Sequence, residues 1–286
     1  MTANRFGQIS TMLAALAIGA TGTIGLANAH SPRDPSAVGD INKMVANSNF
    51  VFHGKVKQVV YRNASVAGGG SVPFTFVTYQ VDDTLLGSAR AQITMRFIGG
   101  ADGRGGFVSV EGVPAFFPGD EDIMFVASNG ESGCALVQCE FGRYRVLHGA
   151  VYEAHGSPVL GIAGNRISTG GAGPDELEAV RYPAPSFDDL IKNPDAAAQI
   201  KKMGMTVDQA RARYNAEAPK TITAGTSHGG EAAKVVPVPG MALTAVMTSL
   251  KTAIGAAPRR PLTALADANP DQGLPALKVQ AATPPN

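Results

Sequence analysis

The sequence predicts a mainly β fold: a small antiparallel barrel or sandwich, OB-like in one form, followed by short helices and a disordered C-terminal tail. Between residues 45 and 165, apolar and polar residues alternate in short runs, which is the period of a half-buried strand. Glycine clusters separate these runs and supply turns. No long helical pattern lies between them, and parallel strands would need such crossovers, so we expect antiparallel pairing.

The strands are predicted from the alternation alone. In the clearest run, Val77, Tyr79 and Val81 share one side of the pleat, and Phe76 and Thr78 share the other. Together the runs define a β domain over residues 45–165. The predicted strands are 50–61, 74–81, 93–97, 107–110, 123–127, 144–147 and 159–162.

Helix start and stop signals follow the β domain, in residues 166–218. These helices are too short to be stable alone in water, so we expect them to dock on the β domain. Two of the starts resemble capping boxes, in which a hydroxyl residue precedes an acid or amide by three positions. The signals are Ser186 with Asp189, Pro194 to Gly204, and Thr206 with Gln209.

The C-terminal segment, residues 219–286, has an unusual composition. Tyr214 is the last aromatic residue, so 72 residues follow without a ring, and nine of the 19 prolines lie in this segment. Such a composition buries too little apolar surface to offset the entropy of ordering, which predicts disorder. One stretch, Met241 to Ala256, has helical spacing. It is either a partner-binding amphipathic helix or a mostly unfolded segment, and we favour the second interpretation.

The N-terminus predicts export. Arg5 precedes an apolar run from Met12 to Leu26, and the run ends in the small residues of an A-x-A cleavage pattern at Ala29. The run is too short for a transmembrane helix. We therefore predict a signal peptide over residues 1–29, a secreted or periplasmic location, a polar lead-in over residues 30–44, and no membrane span after cleavage.

The charge balance argues against nucleic-acid partners. The chain has 24 basic and 23 acidic residues, and the predicted signal peptide contains one Arg and no acid, which leaves 23 of each. A chain with no net charge and no basic cluster has no general attraction for nucleic acid or anionic lipid.

Two cysteines, Cys134 and Cys139, are separated by four residues. In an oxidising compartment this pattern predicts one local disulfide. A redox pair or half of a metal site is the alternative, but redox pairs favour C-x-x-C and no second pair completes a zinc site. A loop this short should pin a local turn.

The sequence predicts no catalytic and no cofactor-binding residue. No G-x-S-x-G sequence is present, and the acids around the turn at Asp120 lack the spacing of a calcium loop, which favours a solvated loop. The one metal candidate is His30, which would become the mature N-terminus. Its amine and imidazole nitrogens suit Cu(II), so copper is the alternative cofactor. The five histidines are His30, His53, His148, His155 and His228.

Residues 48–147 contain six short sequences that carry a resemblance to a protein family. These are Ser48–Val56, Thr78–Gly87, Ile93–Gly100, Gly112–Phe116, Pro118–Val126 and Gly142–Tyr144. In them the chain resembles a β-domain family of secreted bacterial proteins of uncharacterised function, found in some proteins beside a matrixin-like metalloprotease. The protease sequence H-E-x-x-H is absent here. The resemblance implies a small β-barrel, and the chain departs from it at Leu86 and in the segment with both cysteines.

Together these features predict a non-catalytic β domain that serves as a binding or interaction module for a cell-envelope component or a secreted protein. Two alternatives remain open. One is a copper-dependent or other metal-binding redox protein that uses His30. The other, which rests only on the resemblance, is an accessory or inhibitor-like partner of a secreted protease.

Overall fold

The structure is a computed structural model. It describes residues 39–65, 70–103, 106–129, 133–178, 180–184, 186–217, 221–224, 237–258 and 260–271. The predicted signal peptide, His30, most of the lead-in and His228 therefore lie outside the described residues.

Twelve strands and six helices are found within the described ranges. The strands are β1 Phe50–Ser65, β2 Ser71–Leu86, β3 Gln92–Ile98, β4 Gly100–Ala101, β5 Phe107–Val108, β6 Glu121–Val126, β7 Arg143–Leu147, β8 Ala150–Glu153, β9 Val159–Ala163, β10 Arg166–Thr169, β11 Val180–Pro183 and β12 Thr221–Ala224. The helices are α1 Ile41–Ala46, α2 Asp175–Glu178, α3 Phe187–Leu190, α4 Pro194–Lys202, α5 Val207–Glu217 and α6 Leu243–Ala256. A 3-10 turn, Cys139–Gly142, precedes β7.

The fold is mainly β, as the alternation predicts, and it is built on one antiparallel sheet. Six strands lie in the order β3-β2-β1-β6-β7-β8, and three two-stranded sheets pair β9 with β10, β11 with β12, and β4 with β5. β3 and β8 are at opposite ends of the large sheet and do not pair with each other. The large sheet is therefore open and does not close into a barrel, OB-like or otherwise. Of the two predicted forms, the sandwich-like one fits this structure.

Both faces of the large sheet are buried, as the alternation within β6 illustrates. Ile123 and Phe125 pack on what we call the first face, with α1 and α6, whereas Met124 and Val126 pack on the second face. All four side chains are fully buried. Each such side chain contributes about 1.5–3 kcal/mol when it leaves water, so this strand is a major source of stability.

The prediction that residues 241–256 are mostly unfolded is wrong, because this stretch contains helix α6. Its residues Val246, Met247 and Leu250 are buried in the first face of the sheet, beside Met44 of α1. The composition of the surrounding segment is poor in large apolar residues, but these three recur at helical spacing and find a ready apolar surface. Residues 225–236 and 272–286 lie outside the described residues.

The short helices after the β domain begin as their sequence signals predict. The Ser186 hydroxyl accepts a hydrogen bond from the Asp189 amide at 3.1 Å. Thr206 and Gln209 form a reciprocal capping box, with side chain to amide distances of 3.2 and 2.9 Å. α3, α4 and α5 share a small core of their own, which contains Phe187, Ile200 and Ala210. None of the helices in these ranges is long and apolar enough to cross a membrane.

Segments from the C-terminal part of the chain cover both edges of the large sheet. At β8, the Val151 amide donates to the Met241 carbonyl at 2.9 Å. At β3, the Ala268 amide donates to the Thr94 carbonyl at 2.9 Å, from a segment that we call the strap, residues 260–271. An uncovered strand edge invites aggregation, so these contacts protect the sheet.

Cys134 and Cys139 form a disulfide, as predicted, with a Cα–Cα distance of 5.6 Å. The loop that it closes lies beside β6. There the Val137 amide donates to the Phe125 carbonyl and the Ala127 amide donates to the Ala135 carbonyl, both at 2.9 Å. The bond thus holds a local turn against the sheet.

Replacing both cysteines with serine should lower the free energy of unfolding by about 2 kcal/mol, because only a very short loop loses its constraint. Urea unfolding of the double variant and of the wild type, with and without reductant, measures this loss. Complete unfolding of the variant in buffer would show that the bond holds the whole fold, contrary to this expectation.

Candidate binding cleft

A cleft of about 260 Å³ opens beside the second face of the sheet. It lies between β5 with the loop that follows it, the 3-10 turn, and the turn after β8. These elements are distant in sequence; the 3-10 turn leads into β7, and the turn after β8 follows the strand that pairs with β7.

One wall of the cleft is aromatic. The rings of Tyr61 and Phe107 meet edge to face, with centroids 6.0 Å apart, and the buried Phe116 ring lies 4.6 Å from that of Phe97. Gly100 allows Tyr61 to sit there, since a Cβ at this position would lie 2.5 Å from Cδ1 of the tyrosine ring. Burial raises the pKa of Tyr61 to about 12, so its hydroxyl stays protonated well above neutral pH and can both donate and accept.

A second part of the cleft wall carries charged groups of both signs. Nε2 of His155 lies 3.2 Å from Oε2 of Glu140; the histidine side chain is 70% exposed and the glutamate only 9%. The largely buried Arg145 donates from Nη1 to the Leu177 carbonyl at 3.1 Å, which ties this wall to α2. A ligand that enters the cleft therefore meets both apolar rings and polar groups that are paired within the protein.

A buried ion network supports the floor of the cleft. Nε and Nη2 of Arg143 donate to the two carboxylate oxygens of Asp122 at 2.8 and 3.0 Å. Nη2 also donates to Asp120 at 2.9 Å, and Nη1 donates to the Ala115 carbonyl at 2.6 Å. The Tyr79 hydroxyl donates to Asp122 at 2.6 Å. Each nitrogen of this guanidinium thus has an acceptor within the protein.

The electrostatics of this network fix its protonation. Burial, followed by the charge of Asp122, raises the pKa of Tyr79 well above its usual value, so the phenol stays neutral. Burial alone would lower the pKa of Arg143, but Asp122, Tyr79 and Asp120 favour the charged form, and the net effect is to raise that pKa. The guanidinium also stacks over the Phe116 ring, 4.5 Å from its centroid. Arg143 therefore positions the loop that carries Phe116.

The sequence favoured a solvated loop for the acids near Asp120, but Asp122 and Glu121 lie on strand β6. Asp122 is fully buried on β6, and it accepts hydrogen bonds from Arg143, which lies diagonally across from it on the neighbouring strand β7. Glu121 points to the other face, where it contacts Nε2 of His53 at 2.8 Å and Nζ of Lys55 at 3.3 Å. These carboxylates therefore serve ion pairs within the protein.

The described histidines are dispersed. His53 lies on β1 and His148 and His155 lie in the turns before and after β8, so the last two do not face each other across a hairpin. Within the described ranges, no group of three or more His, Cys, Asp and Glu side chains is arranged to hold a metal ion. His30 falls outside those ranges, and the Cu(II) site stays a prediction.

Comparison of the chain with protein-family models, with curated proteins and with solved structures finds no match. The resemblance to the secreted β-domain family, and the protease partnership that it implies, therefore stay predictions.

The residues that line the cleft were not predicted to form a site, although His155 is one of the five histidines considered for metal binding. Arg143 and Arg145 alternate with the buried Tyr144, which places both arginines on the same face as Asp122. Basic residues at alternate positions of an otherwise apolar strand are a sequence signal for inward-facing charge, and such charge requires a partner. Nothing in the local sequence identifies Glu140 as the neighbour of His155.

Proposed function

We propose that the chain is an exported, non-catalytic binding module, secreted or periplasmic, whose cleft receives a short peptide segment of another envelope-located or secreted protein. The observation that carries the proposal is the pairing of an aromatic wall, Tyr61 and Phe107, with a charged wall, Glu140 and His155. Clefts that combine apolar surface with a few fixed polar groups are typical ligand sites.

The size of the cleft supports a peptide side chain or two as the ligand. Its volume of about 260 Å³ is below the usual range for drug-sized molecules. An apolar side chain can pack on Phe107 while a neighbouring charged group of either sign reaches Glu140 or Arg145. A short segment with adjacent apolar and charged residues has this chemistry.

The network below the cleft supports binding in preference to catalysis. Arg143 directs its donors at Asp120, Asp122 and Ala115, and so stabilises the cleft wall without presenting a reactive group to it. His155 pairs with Glu140, and across the described part of the chain no hydroxyl or thiol is hydrogen-bonded to its ring. A preformed, rigid site lowers the entropic cost of binding.

Export is supported by two independent features. The N-terminal sequence matches a signal peptide that ends at Ala29. Cys134 and Cys139 form a disulfide, and structural disulfides are found mainly in proteins of oxidising compartments.

Random peptides displayed on phage and selected on the immobilised full chain will test this function. Phe107→Ala removes part of the aromatic wall, and Lys201→Ala, at an exposed position of α4, is the matched control. We expect the selected peptides to bind Phe107→Ala about tenfold more weakly or worse, since aromatic anchors dominate such interfaces, and to bind the control normally.

Two results would contradict the proposal. One is the absence of any enriched peptide sequence. The other is equal binding of the selected peptides to the wild type and to Phe107→Ala, with circular dichroism showing both proteins folded.

A further inference from the structure

The strap occupies the outer edge of β3 without forming a helix or a strand. It begins after α6, and its contacts extend from Asn49, just before β1, along β3 to Arg62. Most of its side chains are exposed, and Leu265, Ala268 and Pro270 are the more buried ones. The strap is on a different part of the molecule from the cleft, as none of its residues lines that cavity.

The carbonyl groups of the strap are bound by side chains of the sheet domain. Nη2 of Arg90 donates to the Leu265 carbonyl at 2.8 Å, and Nδ2 of Asn129 donates to the Ala266 carbonyl at 2.8 Å. The same Asn129 amide also donates to the Thr94 carbonyl at 2.7 Å, so it bridges the strap and β3. Contacts to main-chain atoms of this kind bind any extended segment, whatever its side chains.

An aspartate on the strap completes the hydrogen bonding of the strand edge. Oδ1 of Asp267 accepts from the Thr94 amide at 2.8 Å and lies 3.6 Å from Nη1 of Arg90. The next residue, Ala268, donates its amide to the Thr94 carbonyl at 2.9 Å. An acid at this position is therefore selected by a strand amide and a guanidinium together.

Two apolar contacts add selectivity. Leu265 packs against the second-face core that contains Phe50, and Ala268 packs against the adjoining cluster that contains Phe74. The Arg90 guanidinium lies 5.5 Å from the centre of the Phe50 ring, at the side of the Leu265 site. The edge thus recognises a pattern: an apolar residue, any residue, an aspartate, then a small residue.

The C-terminal end of the strap is held by a weak, exposed ion pair, whereas at its other end Arg260 donates to the carbonyl of Ser48. Nη2 of Arg62 lies 3.3 Å from Oδ1 of Asp271, with side chains 46% and 80% exposed. Exposed pairs of this kind contribute about 0–1 kcal/mol. A segment with so little buried surface belongs to the least stable part of a fold, from which local opening is easiest.

We propose that the β3 edge, with Arg90, Thr94 and Asn129, is a receptor for an extended peptide of another exported protein, with the strap as its built-in competitor. The partner peptide carries an apolar residue two positions before an aspartate and a small residue after it. It adds to the sheet edge in place of the strap, which is a common mode of peptide recognition.

A partner is favoured over the strap of a second copy because a second copy would make the same contacts as the strap already makes. The tethered strap acts at an effective concentration of about millimolar, so an identical segment in solution competes poorly. A partner segment can extend beyond residues 265–268 and gain contacts that the strap lacks.

The test uses the full chain and a fluorescent synthetic peptide with the sequence of residues 260–271. In the double variant Leu265→Ala/Asp267→Ala the strap loses two of its three selective contacts, while the receptor edge is intact. Fluorescence anisotropy should show the peptide binding the double variant at least about tenfold more tightly than the wild type, a difference of about 1.4 kcal/mol. Leu262→Ala, in an exposed part of the strap, is the matched control and should behave as the wild type.

A folded double variant that binds the peptide no better than the wild type would overturn the proposal. So would equal binding of a peptide with alanine at the positions of Leu265 and Asp267. If the double variant fails to fold, Asp267→Ala alone provides the comparison, because that side chain is 60% exposed. A wild-type dimer that the peptide dissociates, seen by sedimentation, would assign the edge to a second copy and reject a foreign partner.

Discussion

Replacing Arg143 with methionine should lower the free energy of unfolding by about 3–5 kcal/mol, because the change leaves Asp122 as an uncompensated buried charge. Asp122 is fully buried and Arg143 is only 3% exposed. The variant also loses the hydrogen bond to Ala115 and the stacking on Phe116, which hold the cleft loop. Urea unfolding followed by circular dichroism measures the effect.

Arg213→Met provides the matched control for this substitution. Arg213 forms an exposed pair with Glu217 on the same helix, at 3.0 Å, so its loss should cost less than about 1 kcal/mol. If Arg143→Met costs no more than the control, the buried pair is not a source of stability. The double variant Asp122→Leu/Arg143→Met should recover part of the loss, since an apolar pair leaves no unpaired charge.

The strands could be predicted because each one carries its own period. Val77, Tyr79, Ile93 and Met95 are all fully buried, at positions that the alternation assigns to one face. The ends of the strands were predicted less accurately than their centres. β1 and β2 are each 16 residues long, and the parts beyond the predicted limits, residues 62–65 in β1 and residues 71–73 and 82–86 in β2, are polar or mixed, so the alternation does not extend to them.

The cleft could not be predicted, because its walls come from segments that meet only through strand pairing. Tyr61, Phe107, Glu140 and His155 lie in four separate elements or turns. Local periodicity assigns a residue to a face of its own strand, but it does not specify which distant side chain lies opposite. The pairing of Arg143 with Asp122 depends on β6 lying beside β7, and this order in the sheet is a tertiary property.

The average composition of a segment does not predict its structure well when only a few of its residues make the contacts that order it. The C-terminal segment has no aromatic residues, yet Met241 and Ala268 each supply a main-chain contact to a sheet edge. Such contacts need only an extended backbone, which proline-rich and alanine-rich sequences adopt readily. The hydrophobic residues of α6 are few, but they coincide with an apolar surface that the sheet and α1 leave open.

The largest expected effect in this segment is that of Leu250→Ala, which should lower the free energy of unfolding by about 2–5 kcal/mol through lost burial and a cavity. Leu250 is 1% exposed and packs in the core with Met44 and Val246. Thr248→Ala, on the exposed side of α6, should change stability by less than about 0.5 kcal/mol. Urea unfolding of both variants distinguishes the two sides of the helix.

Equal stability of Leu250→Ala and Thr248→Ala would contradict the packing of α6 and would support the unfolded interpretation of residues 241–256. That result would also remove the anchor that precedes the strap, because α6 ends at Ala256, four residues before Arg260. A large loss confined to Leu250→Ala would instead establish α6 as part of the core. The strap would then be tethered to a rigid helix, which is the condition for its high effective concentration at the β3 edge.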